Sequence, residues 1–238
     1  MFRLSMDGEV ARLTLDRPEA RNAIPAAGWA ELARLLVEAA DARILILSGA
    51  SGVFCAGADL SDFPALNKDD SARARFREDM RLALDGLRNL AGPTVALIEG
   101  PCYGAGVALA MACDIRIAAE SASFAITPAK IGISYPQEDV LRLVELVGPG
   151  QAARLLFTAS SIDGAEAARI GLVELHSIDE GELVAAILAN DQDSLIVLKR
   201  AIVRAGEGLR SDPEQDARFD ALIGGDQMAR RLEALRRK

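Results

Sequence analysis

Polar and apolar positions alternate along Val10-Ala11-Arg12-Leu13-Thr14-Leu15, and this predicts a strand with one face buried. Pro25 suits the first turn of a helix. That helix is expected to run to about Ala40, with Trp29, Leu32, Leu35 and Leu36 near one face. Ile44-Leu45-Ile46-Leu47 is apolar without alternation, as in a strand covered on both sides. Asn67 to about Asp79 is polar and charge-rich, and is expected as a variable loop over a pocket, followed by a helix to Leu90. Gly92-Pro93 breaks that helix before a strand over Thr94 to Ile98. Gly104-Ala105-Gly106 then opens a helix of small residues, Val107 to Cys113, and Ile115 to Ala118 reads as another strand.

Beyond Pro136 the chain turns helical. Asp163 with Glu166, and Asp179 with Glu182, have the spacing of N-cap and N3 partners. From Asp179 to Lys238 the pattern predicts several helices, broken at Asn190, Gly206-Glu207-Gly208 and Gly224-Gly225. The expected organisation is an α/β core over 1–178 and a helical C-terminal region over 179–238.

Two breaks between elements carry candidate chemistry. Phe54-Cys55-Ala56-Gly57-Ala58-Asp59 follows the apolar run at 44–47, and Gly100-Pro101-Cys102-Tyr103-Gly104-Ala105-Gly106 follows the strand at 94–98. Small residues let a backbone approach a ligand closely. Two such turns at the ends of neighbouring strands can aim two backbone N–H groups at one point. An oxyanion hole, which stabilises negative charge developing on a carbonyl oxygen, is built this way.

Composition narrows the classes. A chain of 238 residues suits one α/β domain with a sizeable core. Half of it is hydrophobic and only 4% aromatic, so the core is expected to be aliphatic and alanine-rich. No apolar run approaches the ~18–20 residues of a membrane span, and Met1 to Asp7 holds no apolar signal core. Cys55, Cys102 and Cys113 have neither disulfide nor zinc spacing, which fits a reduced, cytoplasmic setting without a bound metal. Cys55 borders the proposed pocket and is a candidate reactive thiol. The net charge of −8 argues against a non-specific nucleic-acid binder. His176 is the single histidine, and no G-x-S-x-G is present, so a nucleophile–histidine relay is not expected.

The two turns, in this order, resemble the crotonase family, also called the enoyl-CoA hydratase/isomerase family. Leu15-Asp16-Arg17-Pro18-Glu19-Ala20-Arg21-Asn22-Ala23 looks like the family's L-N-R-P-x-x-x-N-A segment, and Ile162 to Val173 is also similar. The resemblance runs nearly end to end. It implies a spiral of ββα turns with a helical tail, and enolate chemistry on an acyl-coenzyme A thioester. It implies that the N–H groups of Ala56 and Ala105 hold the thioester oxygen. Ala58, Asp59, Leu60 and Gly104 are the further substrate-binding positions it suggests, and Arg21 would reach the coenzyme's phosphates. Basic residues of the last helix, Arg230, Arg231, Arg236, Arg237 and Lys238, would do the same or form a solvated face. The resemblance implies a homotrimer or a dimer of trimers, and no cofactor beyond the coenzyme A of the substrate.

The chain departs from the family where protons move. A resembling hydratase carries one glutamate in the helix after the second turn and another in an F-x-x-P-E segment. Those positions are Ala108 and Pro128 here. General acid–base catalysis needs a titratable side chain within reach. The run Thr127 to Tyr135 resembles the methylmalonyl-CoA decarboxylase branch of the family, in which loss of carbon dioxide generates the enolate without a base. Phe157-Thr158-Ala159-Ser160 is similar to that branch too. Thr127, Tyr135 and Asp139 are therefore the candidate catalytic residues, with Glu138 and Asp139 also readable as ordinary acids at a helix N-terminus. Three functions stay open: a lyase or isomerase of acyl-CoA, a decarboxylase using Thr127 and Tyr135, and a non-catalytic binder of CoA thioesters.

Overall fold

A computed structural model describes residues 1–177 and 179–236. The main sheet has six strands in the order β1-β2-β3-β4-β6-β9: β1 (Phe2–Asp7), β2 (Val10–Leu15), β3 (Ile44–Gly49), β4 (Thr94–Ile98), β6 (Ile115–Ala118) and β9 (Leu175–His176). Only β1 and β2 pair antiparallel, through a turn at Gly8, while the remaining pairs are parallel. Three short strands, β5 (Pro101–Tyr103), β7 (Ser123–Ala125) and β8 (Ile162–Asp163), form a second sheet in the order β5-β7-β8. Backbone pairing between Cys55 and Cys102, whose thiols are free, ties the first small-residue turn to β5.

Side-chain burial explains the layers. Ile44, Leu45, Ile46 and Leu47 are all buried, as a central parallel strand requires. One face of the sheet packs with α1 (Ala26–Glu38) and α3 (Asp70–Arg88), together with α4 (Ala105–Met111) and α5 (Gln137–Thr158). This core is aliphatic, with Trp29, Phe54 and Phe124 as its large buried rings. The other face buries Ile44, Ile46, Val95 and Ile117 against Leu183, Val184 and Ile187 of α7 (Glu180–Leu188). The expected boundary at 178/179 thus precedes a helix that completes the core of the preceding part. Ile178 itself lies outside the described residues.

Asn67 to Asp79 differs from its expectation as a loop. After the short α2 (Phe63–Leu66), the Asp69 carboxylate caps α3 by accepting from the N–H groups of Ser71 and Ala72, and the helix runs from Asp70. Its charged surface is a solvated helix face, with Met80, Ala83, Leu84 and Leu87 buried beneath. The cap at Asp163 forms as the spacing predicts, opening α6 (Gly164–Arg169) with an accepted bond from Glu166 N–H. After α7 come α8 (Gln192–Gly206), α9 (Pro213–Ile223) and α10 (Asp226–Arg236), which start and stop near the predicted breaks.

Buried polar residues pin the two turns. Asn22, fully buried at φ +57, donates through its side-chain amide to the carbonyls of Ala50 and Val53 and accepts from Arg17 N–H. The other end of α4 is held by Arg116 of β6. Its buried guanidinium donates to the carbonyls of Ala110 and Cys113 and pairs with Glu174. A cation at a helix C-terminus is favourable, and here it fixes the direction in which the α4 N-terminus points.

Candidate active site

The small-residue turns meet at one end of a cavity of about 340 Å³. Their backbones touch. A Cβ on Gly57, which has φ +110, would lie 3.1 Å from the Tyr103 carbonyl oxygen and 3.6 Å from the Ala105 nitrogen. A Cβ on Gly106 would lie 2.7 Å from the Cys55 carbonyl oxygen. Larger residues at either position would force the two turns apart.

The N–H groups of Ala58 and Ala105 at this junction have no hydrogen-bond partner among the described residues. Ala105 is the first residue of α4, so its N–H has no partner within the helix. The N–H of Ala56, the expected first donor, is occupied. The Ala56 N–H donates to the Arg21 carbonyl at 3.0 Å, and the Gly57 N–H points to Cys55 Sγ at 3.4 Å. The Ala58 N–H has no hydrogen-bond partner among the described residues, because the chain beside Ile24 uses Gly57 O and Asp59 N instead. Ala56, Ala58, Gly104 and Ala105 all line the cavity, and Ala58 and Ala105 carry its open donors.

The structure brings Thr127, Tyr135 and Asp139 to the same cavity. The Tyr135 hydroxyl donates to the Gly104 carbonyl at 3.0 Å. It therefore holds the α4 entry turn, where Gly104 has φ +49 and ψ −115. Burial raises the phenol well above its ordinary range, so it stays a donor. Thr127 is half-buried and its hydroxyl has no hydrogen-bond partner among the described residues. Ala108 and Pro128 line the cavity, so the positions of both missing glutamates border it.

Asp139 is fully buried near the start of α5. Its Oδ1 lies 3.3 Å from both Nη1 and Nη2 of Arg81, and 3.7 Å from Nη1 of Arg142. Its Oδ2 has no hydrogen-bond partner among the described residues. Burial raises this carboxyl above the ordinary range, against the opposing pull of Arg81 and Arg142. Burial also lowers the Arg142 guanidinium, which is anchored at 2.7 Å to Asp85. Glu138, one residue earlier, is exposed and faces Arg81 at 3.8 Å, as an ordinary helix N-terminal acid.

The other expected positions divide. Leu60 lines the cavity. Asp59 does not, because its carboxylate accepts from Ser61 and pairs with Arg17 at 2.5 Å, which together hold it down to about 2. It is a structural clamp. Arg21 has φ +50 and an exposed side chain outside the lining, and its carbonyl, rather than its guanidinium, touches the site. Cys55 is buried, and burial pushes its thiol up to about 12, the opposite of a reactive thiolate. His176 lies off the cavity, 3.9 Å from Glu120. Phe157 is exposed and also off it. Arg231 of the last helix donates to the Ala189 carbonyl, whereas Arg237 and Lys238 lie outside the described residues.

Sequence reasoning missed Arg81 and Arg142, and also Phe63, Phe76 and Met80, which line the cavity. The i,i+3 spacing of Asp139 and Arg142 was an available signal. Arg81 joins them only through the packing of α3 against the start of α5, and no local pattern reveals that.

Comparisons with known proteins agree with this geometry. The profile described as Enoyl-CoA hydratase/isomerase matches residues 5–200. Enoyl-CoA hydratase EchA19 of Mycobacterium tuberculosis is 34% identical over 91% of this chain and 84% of its own length. Human mitochondrial methylglutaconyl-CoA hydratase is 34% identical over 63% of this chain, which spans only 46% of that protein. Among solved structures, a putative enoyl-CoA hydratase/isomerase family protein from Hyphomonas neptunium superposes with a TM-score of 0.91 at 34% identity, covering 98% of this chain and 94% of that one. A putative enoyl-CoA hydratase from Thermobifida fusca, solved in complex with acetoacetyl-CoA, gives a TM-score of 0.79 at 32% identity, covering 98% and 95%. With sequence, fold and the paired turns in agreement, the chain belongs to the enoyl-CoA hydratase/isomerase family, the crotonases.

Proposed function

We propose that this protein shifts a double bond in an acyl-CoA thioester, with Asp139 as the single proton carrier. The observation that carries the reading is the Asp139 carboxyl, buried and with one oxygen unpartnered, in the cavity that also holds the free N–H groups of Ala58 and Ala105. The thioester oxygen accepts from those two N–H groups. The Asp139 carboxylate removes a proton from the carbon next to the thioester carbonyl or from the vinylogous position. The electron pair left behind delocalises into the thioester as a dienolate, and the two N–H groups stabilise its oxygen. The protonated Asp139 then returns the same proton to the other end of the conjugated system. No water enters, so one carboxyl suffices. Hydration needs a water positioned and a second proton delivered, and Ala108 and Pro128 offer no acid for that.

Thr127 and Tyr135 suit a decarboxylase less well. Tyr135 is engaged with the Gly104 carbonyl, which leaves the Thr127 hydroxyl as the one observation in that reading's favour. We assign self-association, as a trimer or a dimer of trimers, to the C-terminal helices, where Ile202, Phe219, Ile223 and Leu235 are exposed apolar residues. A ligand-binding monomer in dilute solution, measured by light scattering, would remove that assignment.

Asp139→Asn is the deciding variant. Isomerisation of 3-enoyl-CoA esters, followed by absorbance of the conjugated product, should fall ~10²–10⁴-fold. Release of carbon dioxide from methylmalonyl-CoA at a rate indifferent to this change would select the decarboxylase. Binding of thioesters without conversion of any would select the non-catalytic reading.

A further inference from the structure

The cavity's wall is unequal in chemistry from one side to the other. Leu60, Phe63, Phe76, Met80, Ile131 and Ile133 supply an apolar surface, mostly from the segment between Leu60 and Met80. Phe63 and Phe76 meet edge to face, with ring centroids 6.3 Å apart and planes at 69°. That arrangement gives the wall a fixed shape. Met80 is the chain neighbour of Arg81, so the apolar wall reaches the Asp139 end.

The charges are placed the other way from a site for an acidic acyl group. Arg81 and Arg142 stand behind Asp139, committed to it and to Asp85, and neither lines the cavity. Lys130 is the one lining cation among the described residues, and it sits exposed on the turn Pro128–Ile131. The buried lining charge is Asp139.

We infer that the acyl pocket selects an uncharged hydrocarbon acyl group and rejects one ending in a carboxylate. The inference rests on the acyl-CoA reading above and narrows its substrate class. A hydrocarbon chain gains from leaving water against Phe63, Phe76 and Met80. A terminal carboxylate brought to the same place meets a like charge, or must share one proton with Asp139, and loses its hydration without a buried cation in exchange.

Isothermal titration calorimetry with free coenzyme A, hexanoyl-CoA and adipoyl-CoA tests this, since the two esters have the same carbon count. Hexanoyl-CoA should bind more tightly than free coenzyme A, and adipoyl-CoA ~10-fold or more weakly than hexanoyl-CoA. Phe76→Leu should weaken hexanoyl-CoA and leave free coenzyme A unchanged. Asp139→Asn should narrow the gap between the two esters, whereas Lys130→Met should not alter it. Equal affinity for the two esters would overturn the selectivity while leaving the acyl-CoA reading intact. Preferred binding of adipoyl-CoA that Lys130→Met abolishes would overturn it too, by showing that the rim lysine recognises the carboxylate. Failure of free coenzyme A and both esters to bind would overturn the acyl-CoA reading itself, and the selectivity with it.

Discussion

The two sides of the cavity are made of different material. At one side the Ala56–Ala58 turn and the Gly104–Ala105 turn offer backbone N–H groups, and side chains matter only by being absent. At the other side Asp139 offers a carboxyl whose state depends on burial and on two arginines from separate helices. The donor side constrains sequence through space. A Cβ at Gly106 would collide with the Cys55 carbonyl, and Gly57 combines φ +110 with a tight approach to the Tyr103 carbonyl, so the residues there are confined to the smallest. The acid side constrains sequence through charge, and any position that reaches the cavity can supply it. Here Ala108 and Pro128 carry no acid, and Asp139 is the buried carboxyl that lines the cavity.

Among variants that keep Asp139, removing one donor should have the largest effect. Ala105→Pro is suited to the purpose, because position 105 opens α4 and proline is tolerated at the first helical residue. The fold should survive and the N–H disappear. Loss of one oxyanion donor costs ~10²–10³ in kcat. Steady-state kinetics on a variant with unchanged circular dichroism checks it, and an unchanged kcat would break the distinction between the two sides.

Tyr135→Phe joins the two sides and should have an intermediate effect. The phenol's bond to the Gly104 carbonyl steadies the donor turn while its ring lines the cavity near Asp139. A lost hydrogen bond of this kind is worth ~1–3 kcal/mol, or about ten- to hundredfold in rate. If Tyr135 acts only on the turn, kcat should fall while the pH profile keeps its shape. Loss of an alkaline limb would place the phenol in the proton-transfer chemistry instead, since burial raises its value well above the ordinary range.

The pH profile itself sharpens the acid side. Asp139 must be ionised to accept a proton, and burial raises its carboxyl above the ordinary range. The rate should therefore fall as pH drops through that raised value, at a higher pH than for a solvated aspartate. Arg81→Gln removes the charge that opposes the shift. Its acid limb should move further up in pH, and a limb that stays in place would exclude Asp139 as its origin.

What was legible in the sequence follows the same division. The donor side was readable because glycine and alanine at fixed spacing are the physical requirement. Even so, only the fold shows the Arg21 carbonyl capturing the N–H of Ala56, one of the two expected donors. Local pattern also found β2, β3, β4 and the cap at Asp163, whose signals lie within a few residues. It took the start of α3 for a loop because the helix buries its apolar stripe only from Met80 onward. Asp139 was legible as a candidate among acids, but not the partners that decide its state, because Arg81 lies 58 residues away in the chain.

The smallest effect belongs to Asp59, which sits beside the donor turn yet outside the cavity. Its carboxylate accepts from Ser61 and Arg17 and is held down to about 2, against an ordinary 3.8. A carboxyl with a depressed folded value stabilises the fold above its unfolded value and loses that contribution as pH falls through the folded one. Stability from this clamp should be complete above pH ~4 and decline towards pH ~2. Asp59→Asn should lower stability near neutral pH by about 1 kcal/mol, the usual value of a capping or charged hydrogen bond at a part-exposed site. It should also flatten the acid side of the melting curve, measured by thermal unfolding from pH 7 down to pH 3. The Asn side chain still caps Ser61, so kcat should change little if Asp59 only supports the turn. A large loss of kcat with unaltered stability would move Asp59 from the scaffold to the substrate, and the donor side would then no longer be a matter of backbone alone.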